Sequence, residues 1–162
     1  MASVSYGYAI TTYVGQNLGA KKYRRIRNGV RSGVYMALIT SIVISGVMVI
    51  TGRNILSLFV SGEAGQVKQV LDIAYKYLFI MAIFLWVLYL LYVYRSAIQG
   101  LGNTLIPLAS GVVEFCMRVG VALLLPKLIG EDGIFYAEIS AWSGAAILLI
   151  VSYVVIIRKY KE

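Results

Sequence analysis

The chain has 162 residues, of which 60% are hydrophobic and only 14% are charged, and its formal net charge at pH 7 is +8. Its mean hydropathy of +0.81 is far above that of a soluble domain of this size. This composition excludes a soluble globular protein and predicts an integral membrane protein.

The first predicted element covers residues 1–19 and is incomplete as a membrane span. Its Ser, Thr, Gly and Tyr content suits a helix that faces protein or water rather than lipid. It lacks the cationic start and the compact apolar core of a signal peptide. We therefore expect the tail of a transmembrane helix and interpret Met1 as an internal methionine of a longer chain.

A basic run follows this helix in the segment "GAKKYRRIRNG". Gly19 is predicted to end the helix in the left-handed conformation. Tyr23, Ile26 and Val30 then recur at helical spacing among the cations, which predicts a short helix in the lipid headgroup layer. The predicted cytosolic turn and basic interface comprise Gln16, Asn17, Gly19, Lys21, Lys22, Arg24, Arg25 and Arg27. A nucleic-acid patch is the alternative, but the adjoining spans favour anionic lipid as the partner.

Four further stretches are apolar enough to cross a bilayer core of about 30 Å as helices. These predicted spans are residues 30–52, 71–98, 104–126 and 134–157. Together with the incomplete first helix they predict an all-α membrane protein, a polytopic helical bundle that forms a single partial domain over residues 1–162.

The distribution of Lys and Arg predicts the orientation of the spans, because cations in short loops mark the cytoplasmic side. Ten lie on one side: Lys21, Lys22, Arg24, Arg25, Arg27, Arg31, Arg95, Arg158, Lys159 and Lys161. Four lie on the other: Arg53, Lys68, Lys76 and Lys127, beside Glu63, Glu131 and Asp132. We expect a multi-pass protein of the cytoplasmic membrane with the basic loop and the C-terminus in the cytosol.

Ionisable residues inside a span are functional candidates, because a bare charge at the bilayer centre costs at least about 2.5–3.5 kcal/mol. Glu114 lies near the middle of the third full span, and Arg118 follows one helical turn later. One interpretation is a self-neutralising pair that only joins this helix to its neighbours. The other is that Glu114 binds a cation or a proton while Arg118 adjusts its charge. Glu138, near the outer end of the last span, is interpreted as an interface anchor.

Polar or aromatic residues also recur on one side of the last three spans. The further cavity candidates are Tyr89, Gln99, Ser110, Tyr136 and Ser140. Such sides imply either tight helix packing or a water-filled cavity between helices. The single cysteine, Cys116, and the absence of histidine exclude an intrachain disulfide and a metal cluster. No nucleophile has a base partner in the sequence, so neither an enzyme nor a cofactor is expected.

Four segments resemble the C-terminal lobe of the MATE family, the multidrug and toxic compound extrusion transporters. They are "VGQNLGAKKYRRIRNG" (14–29), "ILSLFVSGE" (55–63), "YRSAIQGLGNTLIPLASGVVEFCMRV" (94–119) and "GIFYAEISAWSGAAILLIVSY" (133–153). The resemblance covers nearly the whole chain in the order of the family's last helices. The turns "GQNLGA" and "YRSAIQGLGNT" are its most diagnostic parts.

The resemblance implies a fragment of a twelve-helix antiporter that exchanges H+ or Na+ for organic, often cationic, compounds. The chain would supply the tail of helix eight and helices nine to twelve. Its partners would be membrane lipids, small organic substrates and the N-terminal lobe of the same transporter. That lobe carries the proton-coupling aspartate of many members, and Leu88 stands where some Na+-coupled members carry an acid. The alternatives are a related flippase for lipid-linked oligosaccharides and a small stand-alone membrane scaffold.

Overall fold

The computed structural model describes residues 2–61 and 64–160, which are almost entirely helical and include no strand. Its elements are α1 (Ala2–Gly19), α2 (Tyr23–Ser57), α3 (Ala64–Gly100), α4 (Leu105–Leu124), α5 (Pro126–Ile129), a 3₁₀ helix (Glu131–Ile134) and α6 (Phe135–Ile157). Four helical segments in the described residues are long and apolar enough to cross a membrane. The predicted all-α polytopic bundle is therefore confirmed.

Helix α3 is the centre of the bundle. It packs against α1, α2 and α6, and its side chains Leu91, Val93 and Ile98 are almost completely buried. Helix α4 lies at the edge, packs mainly against α6 and meets α3 at few positions. The association of α4 with α3 therefore depends on individual side chains rather than on a continuous packed face.

Helices α1 and α3 pack tightly at Gly100. A Cβ atom built there would lie 2.7 Å from the Val14 Cβ atom and 2.9 Å from the backbone oxygen of Thr11. The Thr11 hydroxyl also donates a hydrogen bond of 3.2 Å to the carbonyl oxygen of Ser96. Because no side chain fits between the two backbones, glycine fixes this contact.

Helix α4 has one apolar and one polar side. The exposed apolar residues recur every three or four positions: Leu108, Val112, Phe115, Val119 and Leu123. This spacing forms one helix face. Large apolar side chains that are exposed on a membrane-spanning helix suit contact with lipid. The polar residues Ser110, Glu114 and Arg118 lie on the other side.

The end of α1 differs from the prediction for Gly19. Lys21, with φ of 56°, adopts the left-handed conformation, whereas Gly19 is still helical. The backbone N–H of Lys21 donates to the carbonyl oxygen of Leu18 at 3.0 Å, and the backbone N–H of Lys22 donates to the carbonyl oxygen of Asn17 at 2.9 Å. In this Schellman motif the left-handed residue lies beyond the last helical residue. The prediction was wrong because α1 extends through Gly19.

The predicted short helix in the headgroup layer is also wrong. The basic run forms the first turns of α2, which continues without a break to Ser57. Ile26 and Val30 are 0% and 2% exposed and belong to the bundle core. Their apolar spacing continues through Gly33 and Ala37, which are also buried. The basic run and the membrane span are therefore one helix.

Helices α2 and α3 are longer than the predicted spans 30–52 and 71–98. They contain 35 and 37 residues, which corresponds to lengths of about 50 and 55 Å at 1.5 Å per residue. Both therefore exceed a hydrocarbon core of about 30 Å and extend beyond it. Glu63 and Lys161, which were counted among the outer and inner charges, lie outside the described residues.

Candidate functional site

Four alternating charges connect α3, α4 and α6. Arg95 Nη2 of α3 lies 2.9 Å from Glu114 Oε2 of α4. Arg118 Nη2, one turn further along α4, lies 3.1 Å from Glu114 Oε1 and 2.8 Å from Glu138 Oε2 of α6. The four groups sum to zero charge, and we call them the ion network.

The ion network extends through much of the depth of the bundle. At 1.5 Å per residue, Arg95 lies about 8 Å from the last residue of α3, and Glu114 and Arg118 lie about 14 and 20 Å from the first residue of α4. Glu138 lies about 29 Å from Ile157, the last residue of α6, on the same scale. These three helix ends meet beside one pocket at the same end of the bundle. The network therefore spans about 20 Å of depth along the helices.

Glu114 is the central group of the ion network. Its side chain is 19% exposed, and each of its two carboxylate oxygens accepts a hydrogen bond from a different arginine. Arg95 also donates to the fully buried hydroxyl of Ser110, which donates in turn to the carbonyl oxygen of Pro107 at 2.7 Å. Loss of the Glu114 charge would leave Arg95 without a carboxylate and Arg118 paired only with Glu138.

Two donors of the ion network have no acceptor. The Nε atoms of Arg95 and Arg118 are buried and form no hydrogen bond with the described residues. Buried polar groups in proteins are almost always hydrogen-bonded to protein or to ordered water. The arrangement is therefore suited to water or to another acceptor beside the network.

A groove between α3 and the start of α4 leads to the ion network. Its volume is about 380 Å³. Its lining residues are Arg95, Gln99, Thr104, Pro107, Leu108 and Gly111. Arg95 both lines this groove and contacts Glu114. The groove thus reaches Arg95, the partner of Glu114, from the end of the bundle, and it includes the predicted candidate Gln99.

The other cavity candidates lie elsewhere. Tyr89 is 3% exposed and packs edge-on against Tyr6 of α1, with ring centroids 6.0 Å apart. Tyr136 and Ser140 line a separate, mainly apolar pocket of about 280 Å³, and the Ser140 hydroxyl donates to the carbonyl oxygen of Ala137. The structure therefore divides the predicted set among three places and brings Ser110, Glu114 and Arg118 together.

The predicted cytosolic turn and basic interface divide between two helices and their connection. Gln16, Asn17 and Gly19 lie in the last turn of α1, Lys21 and Lys22 in the connection, and Arg24, Arg25 and Arg27 in the first turns of α2. The Asn17 side chain donates to the carbonyl oxygen of Tyr13 at 2.8 Å. Arg27 donates to the carbonyl oxygen of Tyr160 at 2.6 Å. Arg27 thereby joins the basic run to the chain end that follows α6.

Sequence reasoning missed two members of the ion network. Arg95 was counted among the cytoplasmic-side cations at the end of the predicted span 71–98, but it lies within α3 and contacts Glu114. Glu138 was interpreted as an interface anchor, but it pairs with Arg118. One signal for Arg95 was available, because the helix-ending glycines begin five residues after it and leave it inside the helix. The pairing of Glu138 depends on how α6 packs against α4, which a single sequence does not specify.

Comparison with known protein families decides what kind of protein contains this network. A family model described as MatE matches residues 1–124. The chain belongs to the MatE family. Comparisons with curated proteins and with solved structures returned no match. The MatE match includes Arg95, Glu114 and Arg118, and Glu138 follows the matched segment.

Membership of the MatE family and the four long apolar helices identify a multi-pass membrane transporter of the MATE type. The family assignment favours transport over the scaffold interpretation.

Proposed function

We propose that this chain is part of an antiporter that exchanges H+ or Na+ for organic, often cationic, compounds, and that Glu114 is its cation-responsive group. The observation that carries the proposal is that both oxygens of Glu114 are held by guanidinium groups from two helices. Family membership supports a transporter of this type. The small organic substrates and the remaining helices, including an N-terminal lobe, are the proposed partners.

The geometry suggests how one carboxylate would couple two cations. A proton, a Na+ ion or an organic cation that reaches Glu114 has to compete with Arg95 and Arg118 for the same oxygens. Cation binding and the Arg95–Glu114 contact between α3 and α4 would then exclude one another. Since α4 packs little against α3 elsewhere and mainly against α6, loss of this contact would let α4 separate from α3. Competing ligands at one site are what an exchange mechanism requires.

The test is transport by the Glu114→Gln variant of the transporter that contains this chain. Equal amounts of purified wild-type and variant protein are reconstituted in liposomes, and uptake of a fluorescent organic cation is driven by a pH gradient or a Na+ gradient. We expect the variant to transport at the level of protein-free liposomes, because glutamine is neutral in the presence and absence of the gradient.

The matched control is Asp72→Asn, which removes a carboxylate that is half exposed at the other end of the bundle. This variant should transport at the wild-type rate. Wild-type transport by Glu114→Gln would contradict the role of Glu114. Equal loss of transport in both variants would assign the effect to folding rather than to coupling.

The proposed location is the cytoplasmic membrane, with the start of α2 and the end of α6 in the cytosol. The support is the excess of basic residues at this end of the bundle, since cytoplasmic loops are enriched in Lys and Arg. Arg27 joins the two segments there. Both therefore lie on the same side of the membrane.

Cysteine labelling of intact cells tests this orientation. In a Cys116→Ser background, a cysteine at Asn28 should resist a membrane-impermeant thiol reagent. A cysteine at Asn54, exposed near the other end of the same helix, should react. Labelling at position 28 and protection at position 54 would reverse the topology.

A further inference from the structure

A second pocket lies between α2, α3 and α6, apart from the ion network. It has a volume of about 250 Å³ and lies at the end of the bundle that carries the basic run. Its polar lining comprises Arg27, Arg31, Tyr35, Tyr94 and Tyr153. No residue of this set belongs to the groove beside Glu114.

Neither arginine of this pocket has an acidic partner among the residues that the structure describes. Arg27 donates to the carbonyl oxygens of Ile157 and Tyr160, and Arg31 donates to the Tyr35 hydroxyl at 3.2 and 3.4 Å. Every carboxylate that the structure describes lies in the ion network or at the opposite end of the bundle. Like charges at i and i+4 destabilise a helix, so an anion between Arg27 and Arg31 would relieve their repulsion.

Two tyrosine hydroxyls complete the pocket. Tyr94 and Tyr153 pack edge to face, with ring centroids 5.4 Å apart. In the part of the chain that the structure describes, neither hydroxyl has a hydrogen-bond partner, although the Tyr153 side chain is largely buried. A hydroxyl can donate to the oxygen of an anion. The pocket therefore presents two guanidinium groups and two hydroxyl donors.

The depth and the remaining lining of the pocket indicate what kind of anion it takes. At 1.5 Å per residue, Arg31 lies about 12 Å and Tyr153 about 6 Å from the nearest ends of their helices. This is the depth of the headgroup layer for helices that extend beyond the hydrocarbon core. One wall of the pocket is apolar and is formed by Val30, Val34 and Ile157. From this wall an exposed apolar face of α2 continues along the helix, away from the basic run. The site thus combines an anion contact with an apolar surface.

We propose that this pocket binds the phosphate headgroup of an anionic phospholipid whose acyl chain lies along α2. Arginine binds phosphate oxygens through two parallel N–H groups, and basic pockets between transmembrane helices bind anionic headgroups. A bound lipid would bridge α2, α3 and α6 at the end of the bundle. The proposal concerns residues that the proposed transport mechanism does not use.

Native mass spectrometry of the purified transporter that contains this chain, in detergent, tests this proposal. The probes are phosphatidylglycerol, phosphatidylcholine of the same acyl chains and inorganic phosphate. The wild-type chain should retain phosphatidylglycerol in preference to phosphatidylcholine. Arg31→Gln should weaken phosphatidylglycerol binding by about fivefold, the contribution of one basic residue near an anionic headgroup. Arg31→Gln leaves both backbone contacts of Arg27 in place.

Two further variants separate the pocket from general surface charge. Tyr153→Phe removes one hydroxyl donor without changing the charge and should also weaken phosphatidylglycerol binding. Arg158→Gln removes one exposed charge at the same end of the bundle, and Arg158 does not line the pocket. Phosphatidylglycerol binding by this variant should therefore stay within about twofold of wild type. Equal weakening in Arg31→Gln and Arg158→Gln would overturn the proposal, because surface charge alone would then explain it. Displacement of the lipid by equimolar inorganic phosphate would also overturn it.

Discussion

Glu114→Gln should lower the free energy of unfolding by about 1–3 kcal/mol, the cost of leaving a partly buried polar or charged group without its partner. The substitution leaves Arg95 without a carboxylate and leaves Arg118 paired only with Glu138. Arg95→Gln should lower the free energy of unfolding by less than Glu114→Gln does, because Arg95 lies nearer the end of its helix. The double variant should be more stable than Glu114→Gln alone, because it restores a neutral network. Unfolding of the purified chain in mixed micelles, followed by far-ultraviolet circular dichroism, measures all three differences.

The Arg53–Asp72 pair provides the control for this double-mutant cycle. Its atoms are 2.6 Å apart, but both side chains are about half exposed. Exposed ion pairs contribute about 0.2–1 kcal/mol, so Asp72→Asn should have a small effect. Strictly additive costs for Arg95→Gln and Glu114→Gln would show that the two groups do not interact, and would contradict the ion network.

Gly100→Ala should destabilise the chain by about 1–3 kcal/mol, the usual cost of adding volume to a packed contact. The added carbon would lie 2.9 Å from the backbone oxygen of Thr11, and a backbone atom cannot move away as a flexible side chain can. The contact between α1 and α3 at this position would have to open. The same unfolding measurement reports this change.

Gly15→Ala is the matched control for Gly100→Ala on the facing helix. Its built Cβ atom is 3.8 Å from the nearest heavy atom outside its own helix, which is an ordinary contact. Replacing a helical glycine by alanine at an unstrained position stabilises by about 0.5–1 kcal/mol. The two substitutions should therefore have opposite signs. A stabilising effect at both positions would show that α1 and α3 are not closely packed at Gly100.

Hydrophobic patterning predicted the membrane helices because the bilayer imposes their length and composition. It did not predict where the helices end. The apolar part of a sequence ends where the helix leaves the lipid. The helix itself can continue into polar surroundings, because its backbone hydrogen bonds do not depend on lipid, and α2 and α3 do so. For this reason the basic run was separated from α2, and Arg95 was counted only as a cytoplasmic-side cation.

The candidate site was predicted in part for a similar reason. Glu114 and Arg118 lie on one helix, so their spacing alone indicated a pair, and the structure places them in contact. Arg95 and Glu138 join this pair through packing between helices, and no local pattern records it. Tyr89 was grouped with the site by polarity, but packing turns it towards α1. Polarity within a span identified candidates without specifying the neighbour that each one faces.

The central claim is that the Glu114 side of α4 borders water while the opposite side borders lipid. Cys116 lies two residues from Glu114, about 200° away around the helix, and it is exposed. Gly111 lines the groove beside Arg95, and a Cβ atom built there meets nothing within 4 Å. Thiolates react with hydrophilic reagents only where water reaches them.

Thiol labelling of the reconstituted transporter tests this claim directly. With a hydrophilic reagent, Gly111→Cys in a Cys116→Ser background should be modified, and the native Cys116 should remain unmodified. An apolar, membrane-permeant reagent should modify both. Modification of Cys116 by the hydrophilic reagent, together with protection at position 111, would contradict the account.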